Sequence, residues 1–221
     1  MANIELLLGV LVGLALLGFL SGKLHKVVGS VFTIIAAGFA FLSLFYYGFY
    51  ESLDPVVEYL PYVTFNISSL KIFFAALVAF VFFMVSFFNP YYVGKMKYGA
   101  LYNLLFVLSL VGALGVFFTD NFITFFFFFE FVVWTSMFMI PMGKNKKATS
   151  VYFGFSAFGG FALLIAILLM HNNVGSFDIA LGLSSLTGTL KVVVFLLILT
   201  AAFAKLGTFP LHIWLPKVLS T

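Results

Sequence analysis

Cysteine and arginine are both absent from the 221 residues, and charge of either sign is scarce. Without cysteine the chain can form no disulfide, run no thiol redox chemistry and hold no cysteine-ligated metal or iron–sulfur cluster. The absence of arginine points to no function. Charged residues make up 8% of the chain, against ~25% in soluble domains, which excludes an ordinary soluble fold. The net charge of +4 comes from lysines dispersed among short loops. That dispersal argues against a nucleic-acid partner, which would call for a basic face. No nucleophile–base arrangement and no metal-ligand spacing is present. Neither a catalytic site nor a cofactor is therefore expected in this chain.

What is present is apolar surface. The chain is 64% hydrophobic and 20% aromatic, with a mean hydropathy of +1.22. These values predict an all-α polytopic membrane protein, consumed almost entirely by spans. The runs Ile4 to Leu20, Val27 to Tyr50, Leu70 to Phe88, Ala100 to Phe118, Ile123 to Ile140, Val151 to Met170 and Lys191 to Pro210 are each long enough to cross a bilayer. The first carries Glu5 at its N-terminal flank, with Lys23 and Lys26 after it, so a retained span is expected and not a signal peptide. Between the second and third, an acidic, proline-bearing stretch leads into VTFNIS, whose alternation suits a small strand or hairpin. Asn89-Pro90 should end the third span, and His171 to Gly188 should be an outer loop.

Charge placement gives an orientation. The loops after spans one, three and five hold seven lysines (23, 26, 95, 97, 144, 146, 147) and no acids. Glu5, Glu51, Asp54, Glu58, Asp120 and Asp178 all fall on the other side, joined there only by Lys71 and Lys191, which can snorkel. The positive-inside rule then predicts an outer N-terminus and an inner C-terminus. Lys23, His25 and Lys26 read as topology charges.

Two charges are left over within the spans, Glu130 and Lys205. Glu130 follows five consecutive phenylalanines in ITFFFFFEFVVWTSMFMI. The helical rise puts it ~10 Å from the outer end of its span and Lys205 ~20 Å from the outer end of its own. An ionisable group at such a depth costs ~2.5–3.5 kcal/mol to insert, and intramembrane acids mark ion pathways or proton relays. A buried lysine can alternate between neutral and charged forms, so a Glu/Lys pair of adjustable separation is a workable proton switch. A protonated carboxyl kept for packing, or a static buried ion pair that orders the bundle, would also account for the two residues. Pro210 should break the seventh helix and free the carbonyl of Leu206, as happens at transporter ion sites. Gly207 adds flexibility there and Thr208 a hydroxyl. His212 could relay protons inward or be a hydrogen-bonded interface residue. Trp214 reads as an interfacial anchor.

The stretch AFAKLGTFPLHIWLPKVL resembles the broken seventh helix of the antiporter-like subunits of respiratory complex I, Mrp cation/proton antiporters and membrane-bound hydrogenases. Lys205, Phe209, Pro210, His212, Trp214, Leu215 and Pro216 match the family pattern. Asp120-Asn121, an aromatic run and then Glu130 resemble its fifth helix. The likeness extends from about Tyr62 to Val218. It implies one membrane domain, with residues 1–98 forming helices one to three and 99–221 an incomplete first antiporter-like repeat. It also implies that Glu130 and Lys205 are the ion-pair and relay element, with Thr208, Pro210, His212 and Trp214 in support. The chain would then be a cell-membrane subunit carrying part of a proton or sodium path. Its partners would be other membrane subunits, including a second antiporter-like chain, and redox centres such as iron–sulfur clusters would sit in partner subunits.

The chain departs from that family in length. Family members usually have about twice as many spans, in two inverted repeats. The eighth helix with its relay residue and the second repeat have no counterpart here, and the place where an acid often precedes the third helix reads NISSLK. A naturally split subunit, a vestigial half kept for assembly and a truncated polypeptide all fit. A structural half-subunit that conducts nothing is the alternative to the transport reading.

Overall fold

The structure, a computed structural model, describes residues 4–50, 57–60, 63–142 and 147–219. The acidic residues Glu51 and Asp54, Gly143 with Lys144 and Lys146, and Ser220–Thr221 lie outside the described residues. Among the described residues, seven helices are long and apolar enough to cross a membrane. The chain divides into two compact units. One comprises the residues through Thr119 apart from 60–63, and the other residues 60–63 with Asp120 onward.

The first unit contains α1 (Ile4–Leu24), α2 (Lys26–Tyr50), α3 (Ser69–Ser86), the short α4 (Asn89–Lys95) and α5 (Gly99–Phe118). In a bilayer, apolar area alone does not drive helices together, so small residues that allow close approach take over. Ala36, Ala37 and Ala40 of α2 are fully buried, while Leu16, Leu17 and Leu20 of α1 face outward. A side chain on Gly29 would come 2.6 Å from Gly22 Cα, so α1 and α2 cross on bare backbone. α5 is the central helix, with most of its residues buried. It packs against α1, α2 and α3. Polar groups buried in this unit find one another: Asn89 Nδ2 donates to Thr33 Oγ1 at 3.0 Å.

Asn89-Pro90 does not simply end the third span. α3 stops at Ser86, and Pro90 then sits in the first turn of α4, where its missing N–H is no loss. Val57–Leu60 (β1) and Val63–Phe65 (β2) form a two-stranded sheet. Phe65 bridges to Thr119, and Asn66 N–H donates to the Phe118 carbonyl at 2.7 Å. The rest of NIS is irregular and serves the next helix, since Ser68 caps α3 by accepting from Lys71 N–H at 3.3 Å.

The second unit contains α6 (Phe122–Met139), continued as one 3-10 turn to Met142, α7 (Lys147–Val174), α8 (Ile179–Ser184), α9 (Gly188–Leu206) and α10 (Trp214–Leu219). The expected outer loop is more ordered than its composition suggests. α7 runs on to Val174, so His171 is helical and not in a loop, with its ring stacked on Phe177 at 3.9 Å. Asn121 caps α6 by accepting from Ile123 N–H at 2.8 Å, and Asp178 caps α8 by accepting from Leu181 N–H at 2.7 Å. The two cap residues also bridge each other, and Phe122 N–H donates to the Phe177 carbonyl at 2.8 Å. These bonds pin the start of α6 to the α7–α8 connection and so fix the height of everything further along α6.

Candidate functional site

α6 is apolar all round, which leaves its facing undetermined by pattern; its neighbours determine it. Phe122 joins Leu163, Ala166, Ile167 and Met170 of α7 and Val194 and Ala201 of α9 in one buried cluster, with Phe125, Phe126 and Phe129 packed against it. The next residue after that phenylalanine row is Glu130, partly buried and turned toward α7. Its Oε1 lies so close to Gly160 that a Cβ there would clash with it, so only glycine at 160 admits the carboxylate in this position. The preceding residue, Gly159, does the same for α9: a Cβ there would lie 2.8 Å from Ala204 Cβ. The Gly-Gly pair thus brings α7 against both helices that carry a charge. Sequence reasoning passed over it, although two glycines in the middle of an apolar span were a visible signal.

Lys205 stands in the last turn of α9. Its Nζ lies 5.0 Å from the centroid of the Phe129 ring, a cation–π distance. Among the described residues, neither Lys205 Nζ nor Glu130 Oε1 has a hydrogen-bond partner, and both atoms are buried. The two charges interact electrostatically, yet Lys205 is not hydrogen-bonded to the carboxylate. The structure thus brings the two expected site residues into one neighbourhood without closing them into a bonded pair. A hydroxyl lies within electrostatic reach of Glu130, that of Tyr152, which also lies beside Ser136 and Ser156. Ser156 Oγ makes no well-formed hydrogen bond there.

The interruption of the seventh span begins at Gly207, three residues before Pro210. Gly207 adopts φ +62°, the left-handed conformation that ends helices, and its N–H returns to the Phe203 carbonyl. Thr208 N–H reaches the same carbonyl at 3.2 Å. Pro210 lies within the irregular stretch, and helix resumes at Trp214. Thr208, Pro210 and His212 are all exposed, and the His212 ring tilts against Phe209 with centroids 5.9 Å apart. No hydrogen bond joins any of these three to Glu130 Oε1 or Lys205 Nζ among the described residues. Trp214 differs from expectation. It is no interfacial anchor, being 8% exposed. Its indole Nε1 donates to the Ala204 carbonyl at 2.9 Å, and its ring meets Tyr152 edge-on at 5.1 Å. The physical reason is the helix end: α9 leaves carbonyls unpaired at its terminus, and the returning chain supplies a donor. No group of three or more potential metal ligands occurs among the described residues.

Seven helices long and apolar enough to cross a membrane, among the described residues, define a multi-pass membrane chain. Residues 119–221 match the family described as NADH:quinone oxidoreductase/Mrp antiporter, TM. An Na(+)/H(+) antiporter component of Alkalihalophilus pseudofirmus is 27% identical over 92% of this chain and 28% of that relative. Hydrogenase-4 component B of Escherichia coli is 35% identical over 51% of this chain and 17% of its own length. The chain therefore spans less than a third of these relatives. Among solved structures, an Mrp complex from a Dietzia species superposes with a TM-score of 0.85 at 24% identity, over 97% of this chain and 25% of that one. A chain of the archaeal membrane-bound sulfane sulfur reductase gives 0.76 at 25% identity, over 96% and 36%. A chain of respiratory complex I from Thermus thermophilus gives 0.72 at 23%, over 94% and 46%, which speaks to fold alone.

Proposed function

We propose that this chain supplies part of a proton or sodium path in a multisubunit membrane complex, with Glu130 and Lys205 as the groups that exchange charge. The observation that carries the reading is that Lys205 Nζ and Glu130 Oε1 are buried without a hydrogen-bond partner among the described residues. A static structural pair gains its stability by closing into a well-bonded contact. A pair held apart is suited to losing and regaining a proton. Tyr152, Ser136 and Ser156 extend the polar neighbourhood toward α10, so His212 would serve only beyond the buried part of the route.

The complex would lie in the cell membrane, with the N-terminus outside and the C-terminus inside. Other membrane subunits, a second antiporter-like chain among them, would complete the path, and redox centres in partner subunits or an ion gradient would drive it. The relatives are parts of an Na(+)/H(+) antiporter, a hydrogenase and respiratory complexes, which supports this setting.

The test is ion movement in membrane vesicles that contain the partner subunits. Glu130→Gln and Lys205→Ala should each abolish coupled gradient formation while the complex still assembles. Normal gradients in both variants would leave the chain a structural component that conducts nothing.

A further inference from the structure

The first unit contains a cavity unrelated to the charged pair. It has a volume of about 500 Å³ and opens where the α1–α2 and α4–α5 connections meet. Lys23, Lys26 and Lys97 line it, and no acidic residue does. Lys26 Nζ donates to the Met96 carbonyl at 2.9 Å, which ties the two connections together. Lys23 and Lys97 are exposed. Each rests against a neighbouring ring, Lys23 over Phe19 at 4.4 Å and Lys97 over Tyr98 at 5.4 Å.

A second observation points to the same ligand. Gly99, Ala100 and Leu101 line the cavity and form the first turn of the twenty-residue helix α5. Its N-cap is Tyr98, whose side chain makes no capping bond. The N–H groups of that turn therefore have no acceptor in the Tyr98 side chain, and a helix N-terminus favours anions. Three cations and an open helix end around one cavity form a receptor for a tetrahedral oxyanion. The cavity is also amphipathic. Leu24 and Leu101 at its rim are 91% and 37% exposed, and Leu20 extends that apolar surface down α1. A soluble phosphate has no use for such a rim, whereas two acyl chains do.

We infer that this cavity binds the headgroup phosphate of an anionic phospholipid, with the acyl chains lying along α1 and α5. Basic pockets at the end of helical bundles are suited to such lipids, and each lysine near the surface strengthens binding on the order of 5-fold. The tight packing beneath the cavity fits this role: a side chain on Gly22 would come 3.1 Å from Ala100 Cβ. The floor is thus rigid backbone, so that binding need not order it first.

The test uses the purified full chain, stripped of lipid in detergent and titrated with phosphatidylglycerol, phosphatidylcholine or inorganic phosphate under native mass spectrometry. Phosphatidylglycerol should be retained and phosphatidylcholine not. Lys23→Gln with Lys97→Gln should weaken retention roughly 30-fold, from two charges at about 5-fold each. Lys191→Gln, which alters a lysine of the other compact unit, should change nothing. Lys26 is left intact because it also holds the loops together. Equal retention of the two lipids, or retention indifferent to the double substitution, would overturn the assignment. Binding of inorganic phosphate as tightly as lipid would overturn the lipid part and leave an oxyanion site. A wild-type check needs no variant: a photoreactive phosphatidylglycerol should label residues 19–26 and 97–101, and labelling elsewhere alone counts against the site.

Discussion

Gly160→Ala is the sharpest probe of the charged neighbourhood, because it moves one carboxylate and little else. The new methyl carbon would clash with Glu130 Oε1 and lie 3.2 Å from Glu130 Cδ and 3.7 Å from Oε2. Non-bonded heavy atoms settle at ~3.5–4.0 Å, so the carboxylate must retreat by about 1 Å. Overpacking costs ~1–3 kcal/mol where a core cannot yield. Here the obstructing group is the end of a flexible side chain, so the lower figure applies and the fold should survive. Charge transfer is less forgiving, since a 1 Å misplacement of reacting groups can cost ~10²-fold. Gly159→Ala is the matched control. It drives into Ala204 Cβ at 2.8 Å and against Ala201 backbone atoms at 3.4 and 3.5 Å, and backbone does not swing aside. In vesicles with the partner subunits present, Gly160→Ala should lower the rate of gradient formation by one to two orders of magnitude with a near-native thermal midpoint. Gly159→Ala should lower the midpoint itself. A Gly160→Ala rate within about twofold of the parent would refute the claim that carboxylate position governs transfer.

Lys205→Arg keeps the positive charge but cannot give up its proton. It should therefore abolish gradient formation as fully as Lys205→Ala while leaving assembly intact; normal transport by the arginine variant would show that charge alone suffices. Trp214→Phe removes the donor to the Ala204 carbonyl and keeps most of the ring packing on Tyr152. Leaving a buried acceptor unpaired should destabilise the chain by ~1–3 kcal/mol, read as a fall in the detergent melting midpoint, and an unchanged midpoint would mean that the bond is dispensable.

The spans were legible because length and apolarity suffice to define them, and Glu130 and Lys205 were legible because a charge in such a run stands out. What lay hidden depended on partners. The phenylalanine run of α6 is equally apolar on every side, so no periodicity could aim Glu130 at α7; Gly160 does that, through the absence of a side chain. Trp214 carries a residue type common at bilayer surfaces, and only the fold reveals that α9 needs its N–H. Pro210 drew attention as a helix breaker, while Gly207, three residues earlier, already ends the helix by adopting a positive φ. His171 to Gly188 looked like a loop because asparagine, glycine and serine are frequent there. Phe177 to Ile179 within that stretch are held by backbone bonds to Asp120, Asn121 and Phe122 that composition does not encode.

The five rings from Phe125 to Phe129 have a consequence for leakage. Protons travel along chains of groups that both give and accept hydrogen bonds, and a phenyl ring does neither. On α6 the hydroxyl preceding Glu130 is that of Thr124, six positions earlier and ~9 Å away along the axis. No single water or side-chain swing on this helix spans that interval. On the proposed role of Glu130, charge approaching it from the Asn121 end must therefore come by way of a neighbouring helix, and a substitution that plants a hydroxyl or carboxyl within the ring row would build a shunt where the native chain has insulation.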